Sequence, residues 1–307
     1  MQAKMLADSR FGPAAIQDCP KRYQAHDSQR NRQSESDDQN LPPSALFPDL
    51  IRSVQADHHG PVPFRVAHAG LSVIVASLTV VLPAAPGGPS KVNPRDGLTY
   101  QWIPPGSYFT GCLPGDTECY GLERHREKIV VGNGFWIGRT EVPQAAYMRV
   151  MSADPSYYKG ADRPADRVGW ADATTYCSRI GMQLPTESEW EYAAYGGAAE
   201  LPKESLVSLA WYDPNSNDST HPVATKLPDG YGLWDMLGNV WEWIQDAGKE
   251  PGEHILKGGS FYNTSRDVRV SGRLSAPPNL RHRDIGFRCA SSVWPEERSA
   301  SSSVTRP

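Results

Sequence analysis

The pattern of hydrophobic and polar positions divides this chain of 307 residues into a foldable middle and two polar ends. Residues 1–63 are rich in Gln, Asp, Ser, Arg and Pro and contain few aromatic residues. Such a segment cannot bury enough apolar surface to offset the entropy lost on ordering. The tail 291–307 has a similar composition. We therefore predict that residues 1–63 and 291–307 are disordered.

Between these ends, short aromatic and β-branched runs alternate with turn residues. Residues 98–112 form one such run, broken by a Pro-Pro-Gly turn, and this pattern predicts a β-hairpin. Residues 134–139 form a second short strand. Beyond residue 197 no long helical periodicity remains, and aromatic loops alternate with short strands.

Helical periodicity predicts three short helices. The first covers residues 144–151 with Pro143 in its first turn, where the missing N–H costs nothing. The second covers residues 171–180 and ends at Gly181, which can adopt a left-handed cap. The third begins at Thr186 with a capping box and is closed by a pair of glycines. Periodicity alone indicates the α+β class.

One uncharged apolar run, residues 66–82, precedes the folded region. With its flanks, residues 64–88, it has the charged, apolar and small-residue sections of a secretory signal, although such signals lie at an N-terminus. One interpretation is therefore a start downstream of Met1. A second is a membrane anchor near the lower end of the ~17–25 residues that a span needs, and a third is a buried core segment.

The net charge and the cysteines limit the classes of partner and the cell compartments that fit this sequence. The formal net charge of −4 gives no reason to expect a nucleic acid as partner, because that class normally shows a concentrated basic face. Cys112 and Cys119 flank a turn-rich hexapeptide that could close a small disulfide loop, as expected of an exported protein. The alternative is reduced thiols in a cytosolic protein.

The segment GLWDMLGNVWEW, residues 232–243, fits neither a regular helix nor an alternating strand. Its tryptophans predict an ordered, irregular loop buried by its aromatic rings. The glycines allow carbonyl oxygens to turn inward together with Asp235 and Glu242. A convergence of oxygens is what a hard cation such as calcium requires.

Four ordered motifs resemble the formylglycine-generating-enzyme (sulfatase-modifying factor) domain family. They are GLWDMLGNVWEW, LPTESEWEYAA (residues 184–194), KGGSF (residues 257–261) and GFRC (residues 286–289). The resemblance places the domain at residues 97–290. It implies the formylglycine-generating-enzyme fold, a C-type-lectin-like variant with few short helices, short strands and much ordered loop. It also implies a disulfide between Cys177 and Cys289.

The resemblance further implies a structural calcium ion. The residues that match its ligands in the family are Asp235, Gly238, Val240 and Glu242. Two carboxylates and two carbonyls, completed by water, suit a hard divalent ion. The alternative is that Asp235 caps a turn and that Glu242 pairs with an arginine.

The family's copper site is where this sequence departs from the pattern. Active members follow the RGGSW motif with two cysteines that bind copper as thiolates, whereas residues 257–273 here contain no cysteine. Asn263 stands where the first would fall, so copper is not expected. The residues left for a polar pocket are Ser260, Asn263, Arg266 and Arg273. The alternative for these is a set of structural salt bridges.

Two functions follow from the resemblance. The first is an exported, bacterial-type binding or accessory module with a protein or peptide partner, for which a sulfatase is one candidate. The second is an oxidoreductase that generates formylglycine on sulfatases, or oxidises another protein or thiol, through a changed metal site. Iron is weakly supported, since the histidines at positions 125, 221, 254 and 282 show no ligand spacing.

Overall fold

A computed structural model describes residues 88–111, 126–197 and 206–296. The apolar run 66–82, the predicted disordered segment 1–63 and the Cys112–Cys119 loop lie outside the described residues, as does residue 297 onward. The first part of the predicted tail is described, and it is ordered. Trp294 is buried against Trp136, so the tail is structured at least as far as this ring.

Ten strands are present within the described ranges. In chain order they are β1 (Ser90–Val92), β2 (Thr99–Ile103), β3 (Gly106–Phe109), β4 (Lys128–Val131), β5 (Phe135–Gly138), β6 (Trp241–Ala247), β7 (His254–Lys257), β8 (Arg273–Ala276), β9 (Ile285–Phe287) and β10 (Ala290–Ser291). One sheet has the order β1-β2-β5-β10, a second contains β3 and β4, and a third has the order β8-β7-β6-β9.

The predicted hairpin across the Pro-Pro-Gly turn does not form. β2 pairs with β1 and β5, whereas β3 pairs with β4, so the turn connects two different sheets. Pro104 and Pro105 have no N–H to donate to a ladder, which favours a break in pairing at this point. The partner of each strand is then decided by packing against distant segments and not by the turn.

The GLWDMLGNVWEW segment is a loop only in its first part. From Trp241 it continues as β6, which pairs antiparallel with β7 and parallel with β9. The first four residues of β6 are buried without alternation. A strand covered on both faces loses the period-two pattern, and this is why the sequence did not predict it.

The helices agree closely with the sequence. They are α1 (Gln144–Met151), α2 (Trp170–Arg179), α3 (Glu187–Ala194) and a single turn, α4 (Leu206–Leu209). Pro143 is the N-cap of α1 and not its first helical residue. Gly181 adopts a left-handed φ of 80° after α2. The part of the chain described here contains no helix with the length and apolar character to cross a bilayer.

The capping box of α3 is confirmed. The Glu189 N–H donates to Thr186 Oγ1 at 3.2 Å, and the Thr186 N–H donates to Glu189 Oε2 at 2.8 Å. These two bonds satisfy donors that a helix N-terminus otherwise leaves unpaired. The helix thereby presents Trp190 and Glu191 to the core, where both are buried.

Two hydrophobic clusters form the core. The first surrounds the disulfide between Cys177 of α2 and Cys289, whose Cα atoms are 5.6 Å apart, and this confirms the predicted pair. The second contains Trp190 of α3 and Ile244 of β6. The polar residues of the candidate site lie on the loops and strand ends that border these clusters.

Candidate functional site

A two-glycine turn positions Ser260. Gly258 and Gly259 follow β7 with φ of 93° and 75°, a conformation that residues with a Cβ rarely adopt. A Cβ on Gly258 would lie 2.9 Å from the Met236 carbonyl oxygen, and one on Gly259 would lie 2.8 Å from Val268. The turn therefore packs too closely for any other residue, and it brings Ser260 to a fully buried position.

Ser260 connects two further polar side chains. Its Oγ lies 2.7 Å from Asn263 Oδ1 and 3.0 Å from Asp284 Oδ2. A hydroxyl carries one proton and can donate it fully to only one of these acceptors. The Ser260 N–H also donates to Asn263 Oδ1 at 3.0 Å, which fixes the orientation of that amide. Ser260 and Asn263, both predicted site residues, are therefore brought together.

Asp284 links this buried group to the surface. Its Oδ1 lies 2.5 Å from Nδ1 of His282, whose side chain is partly exposed. An ionised carboxylate only accepts hydrogen bonds, and with that form of Asp284 the His282 ring is the donor through Nδ1. The Asp284 carbonyl accepts from the Trp241 N–H at 2.7 Å, and this bond fixes the aspartate at the start of β6.

The other two predicted pocket residues have different surroundings. Arg273, on β8, donates through Nε to Glu187 Oε1 at 3.1 Å, and its side chain is 38% exposed. Glu187 also lies 3.6 Å from the buried Lys257 Nζ, which makes a closer contact of 2.6 Å with Glu191. Arg273 thus belongs to an ion-pair network at α3. Arg266 is exposed, and its carbonyl accepts from Arg269.

The four residues matched to calcium ligands lie on the loop before β6 and on β6 itself. Asp235 is buried with a left-handed φ of 54°, and its Oδ2 accepts from the Ala224 N–H at 2.7 Å. Its Oδ1 is buried and has no hydrogen-bond partner among the described residues. Gly238 is also left-handed, and a Cβ there would collide with the Trp211 carbonyl.

Glu242 contacts an arginine at close range. Arg288 Nε lies 2.9 and 2.7 Å from the two carboxylate oxygens of Glu242, and Arg288 Nη2 lies 2.7 Å from Oε1. Trp190 Nε1 donates to the same carboxylate at 2.8 Å. Arg288 also donates to the carbonyls of Trp234 and Asp235, each at 3.0 Å, so one guanidinium joins β6 to the loop.

Glu141 is a third buried carboxylate at this loop. It accepts from Asn239 Nδ2 at 2.7 Å and from the Val240 N–H at 3.0 Å. Burial raises its pKa well above the ordinary value, and Asp235 and Glu242 raise it further. Burial also raises the pKa of Asp235 to about 6. Arg288 lowers the pKa of both groups, and Lys226 also lowers that of Asp235, but burial outweighs these cations.

The buried carboxyl groups bear on whether the residues fit calcium. In the described ranges no three His, Cys, Asp or Glu side chains are grouped closely enough to hold a metal ion. A calcium ion at this loop would therefore need backbone carbonyls and water beside its carboxylates, and the predicted set has two carbonyls. The unpartnered Oδ1 of Asp235 fits such an ion, whereas the Glu242 oxygens already accept hydrogen bonds from Arg288 and Trp190.

Three residues of these sites were not predicted from the sequence. They are Glu141, Asp284 and Trp241. Asp284 had a weak local signal, because His282 and Asp284 directly precede the GFRC motif. Glu141 precedes α1, nearly a hundred positions from the loop it stabilises, and no local pattern indicates such a contact.

Comparisons with known proteins support the family that the four sequence motifs resemble. Residues 89–293 match the family model described as the sulfatase-modifying factor enzyme 1-like domain. The chain is 34% identical over 195 residues to the formylglycine-generating enzyme of Streptomyces coelicolor, covering 52% of this chain and 61% of that protein. It is 30% identical over 195 residues to the mouse protein named inactive Cα-formylglycine-generating enzyme 2, covering 55% and 61%.

The chain spans less than two thirds of the length of these two relatives. Among solved structures, Treponema denticola variable protein 1 superposes with a TM-score of 0.60 at 24% identity, covering 67% of this chain and 99% of that one. This likeness concerns the fold, which is α+β with a C-type-lectin-like arrangement. The chain belongs to the formylglycine-generating-enzyme (sulfatase-modifying factor) family.

Proposed function

We propose that this protein is a binding or accessory module of its family and not a copper-dependent oxidase. The observation that carries the proposal is the state of the cysteines. Residues 257–273 contain none, and the two cysteines of the described ranges, Cys177 and Cys289, are joined in a buried disulfide. A disulfide offers no thiolate, and thiolates are the ligands that suit Cu(I).

The geometry at Ser260 supports a binding role. Asn263, which stands where the family has its first copper cysteine, is bonded to Ser260 through both the backbone and the side chain. Its amide oxygen is therefore engaged in the turn. Ser260 contacts Asp284, and Asp284 contacts His282, whose side chain is partly exposed. This chain of polar groups from the interior to the surface suits recognition of a peptide or a small polar ligand. The mouse relative named inactive supports such a non-catalytic member.

An oxidoreductase with a changed metal site is the second candidate. It is favoured by the 34% identity to the Streptomyces coelicolor formylglycine-generating enzyme. Such an activity would act on a sulfatase, another protein or a thiol. It would require metal ligands other than the cysteine pair, and the partly exposed His282 beside Asp284 is one candidate.

One experiment separates the two candidates. The purified full chain is analysed for metals, offered copper under reducing conditions, and assayed for oxygen uptake with a cysteine-containing sulfatase-type peptide. The Streptomyces coelicolor enzyme in the same assay is the positive control. We expect no peptide-dependent oxygen uptake. Stoichiometric copper with uptake would overturn the proposal and would establish the oxidoreductase.

We further propose a structural calcium ion at the loop, held by Asp235 and the carbonyls of Gly238 and Val240. Glu242, the fourth residue matched by the resemblance, would have to exchange a hydrogen bond from Arg288 or Trp190 for the ion. The support is the unpartnered Asp235 Oδ1 and the grouping of buried carboxyl groups, Glu141, Asp235 and Glu242, at this loop. Calcium would neutralise carboxylates that burial otherwise disfavours in their charged form.

Export is the last part of the proposal, and it places the protein in the periplasm, outside the cell or on a membrane. A buried disulfide is expected in oxidising compartments, and the apolar run 66–82 has the character of a signal or an anchor. The partner would then be an exported protein or peptide, with a sulfatase as one candidate. Fractionation of the source cells with an antibody against the domain tests this; recovery in the cytosol with reduced cysteines would overturn it.

A further inference from the structure

Three arginines lie on one side of the Ser260 site, and we name Arg167, Arg281 and Arg283 the arginine rim. The Arg167 N–H donates to the His282 carbonyl at 3.0 Å, which places it beside the segment that carries the other two. Arg167 and Arg281 are exposed, and Arg283 is half-buried. His282 lies between Arg281 and Arg283 in the chain and contacts Asp284, so the rim borders the site directly.

The three arginines of the rim differ in their contacts. Arg281 forms an ion pair with Asp172. The carboxylate of Asp166 is buried and accepts from the backbone N–H groups of Tyr157 and Tyr158. Within the described ranges, the guanidinium of Arg167 makes no hydrogen bond or ion pair. A cation that is exposed and makes no such contact in the described part of the chain is available to an anionic ligand.

The backbone at Arg167 is also unusual. Its φ is 57°, in the left-handed region that residues other than Gly, Asn and Asp rarely adopt. Such a conformation costs free energy and persists where the surrounding structure fixes it, as the bond to the His282 carbonyl does here. The loop thus holds a charged side chain at a position where glycine or asparagine would be easier to accommodate.

Aromatic rings connect the rim to Ser260. The Arg283 guanidinium lies 5.9 Å from the centre of the Tyr157 ring and 5.5 Å from that of Tyr262. Tyr157 is 56% exposed, and the Tyr262 N–H donates to Ser260 Oγ at 3.3 Å. Arginine and tyrosine are enriched in the energetically important parts of protein interfaces.

We propose that the arginine rim and Tyr157 bind an extended peptide segment rich in Asp or Glu next to the Ser260 site. The planar guanidinium presents paired N–H donors that match both oxygens of a carboxylate. The exposed tyrosine supplies an apolar surface for the peptide backbone or an apolar side chain. The inference rests on the proposed binding function and specifies the chemical class of the partner.

The test is selection from a random heptapeptide library on the full-length protein. We expect the selected peptides to be enriched in Asp and Glu relative to the starting library. Their affinity, measured by fluorescence anisotropy, should fall about tenfold or more between low salt and several hundred millimolar salt, since exposed charges are screened. No selected peptide, no acidic enrichment, or tighter binding of a single-stranded oligonucleotide would overturn the inference.

Variants at Arg167 test whether the arginine rim causes the preference for acidic peptides. Asp and Asn both tolerate the left-handed backbone, so Arg167→Asp and Arg167→Asn change the charge with little strain. We expect Arg167→Asn to weaken binding about threefold to tenfold and Arg167→Asp to weaken it further. Arg95→Asn is the matched control, because Arg95 contacts the Arg179 carbonyl elsewhere and its loss should leave binding within about twofold.

Equal affinity of the wild type and Arg167→Asp for the acidic peptide would contradict the role of the rim. Near-ultraviolet circular dichroism confirms that each variant is folded. Failure of this inference remains distinguishable from failure of the proposed function. The former appears as peptide binding without acidic preference or dependence on Arg167, and the latter appears as copper-dependent oxygen uptake.

Discussion

Glu242 and Asp284 are both buried carboxylates, but their surroundings differ. Glu242 receives hydrogen bonds from Arg288 and Trp190 and forms part of a rigid connection between β6 and the preceding loop. Asp284 contacts Ser260 on one side and a partly exposed histidine on the other.

This difference in surroundings distinguishes a carboxylate that stabilises the fold from one that is available to a ligand. A buried carboxylate whose oxygens are all engaged by a fixed guanidinium contributes to a unique fold, and it has little capacity left for a ligand. A carboxylate that shares one hydroxyl proton with Asn263 and leads to the surface through His282 can change its hydrogen bonds when a ligand arrives. Arg288 therefore contributes to the stability of the fold, and the Ser260 site is where we propose that a ligand binds.

The largest effect is expected from Arg288→Met. This change leaves Glu242 buried without its cation, and we expect a loss of about 3–5 kcal/mol in the free energy of unfolding. Urea denaturation followed by tryptophan fluorescence measures it. Arg273→Met, which breaks the partly exposed pair with Glu187, is the matched control and should cost about 1 kcal/mol or less. Equal losses would contradict the comparison.

Removal of the disulfide is expected to be nearly as costly. Cys177 and Cys289 are 112 positions apart, and the chain-entropy account gives about 4–5 kcal/mol for a loop of that length. The Cys177→Ala/Cys289→Ala variant should lose about 2–5 kcal/mol, measured by the same denaturation. A loss below about 1 kcal/mol would show that the two clusters hold the domain without the bridge.

Calcium and pH should act together at Asp235. Burial raises the pKa of the Asp235 carboxyl to about 6 from its ordinary value of 3.8, so the folded protein binds this proton more tightly than the unfolded chain does. Its contribution to stability is complete below about pH 4 and is lost as the pH rises through about 6. In EDTA, stability of the wild type should therefore decline over this range relative to Asp235→Asn.

Saturating calcium should remove that decline, because the ion favours the ionised carboxylate. At a hundredfold excess over Kd, a single site adds about 2.7 kcal/mol to stability. Thermal denaturation with and without calcium at pH 7 measures this gain, with magnesium as the control ion. An unchanged midpoint in the wild type would exclude the proposed ion at this loop.

The smallest expected effect is that of Ser260→Ala. It removes the hydroxyl between Asn263 and Asp284, and leaving buried acceptors without a donor costs about 1–3 kcal/mol. The same change should weaken peptide binding at the site. Thr175→Ala is the control, because the Thr175 hydroxyl is exposed on α2. This change should alter neither stability nor binding. Unchanged binding by Ser260→Ala would place recognition elsewhere.

Much of the local structure followed from the sequence alone. The three longer helices, the capping box of α3 and the left-handed glycine after α2 depend on contacts within a few residues, and all three predictions are confirmed. The family and its disulfide followed from four motifs in order. Calcium, the pocket and export remain predictions, because they depend on ligands and compartments and not on local pattern.

Only the tertiary structure decided which strands pair and which polar groups meet. The Pro-Pro-Gly turn suggested a hairpin, but β2 and β3 found partners in different sheets, because strand pairing depends on packing between distant segments. Trp241 begins a strand that is covered on both faces, so alternation could not reveal it. Glu141, Asp284 and Arg167 acquired their roles from contacts far along the chain. A one-dimensional pattern contains local preference, whereas burial and charge balance arise only when the chain has folded.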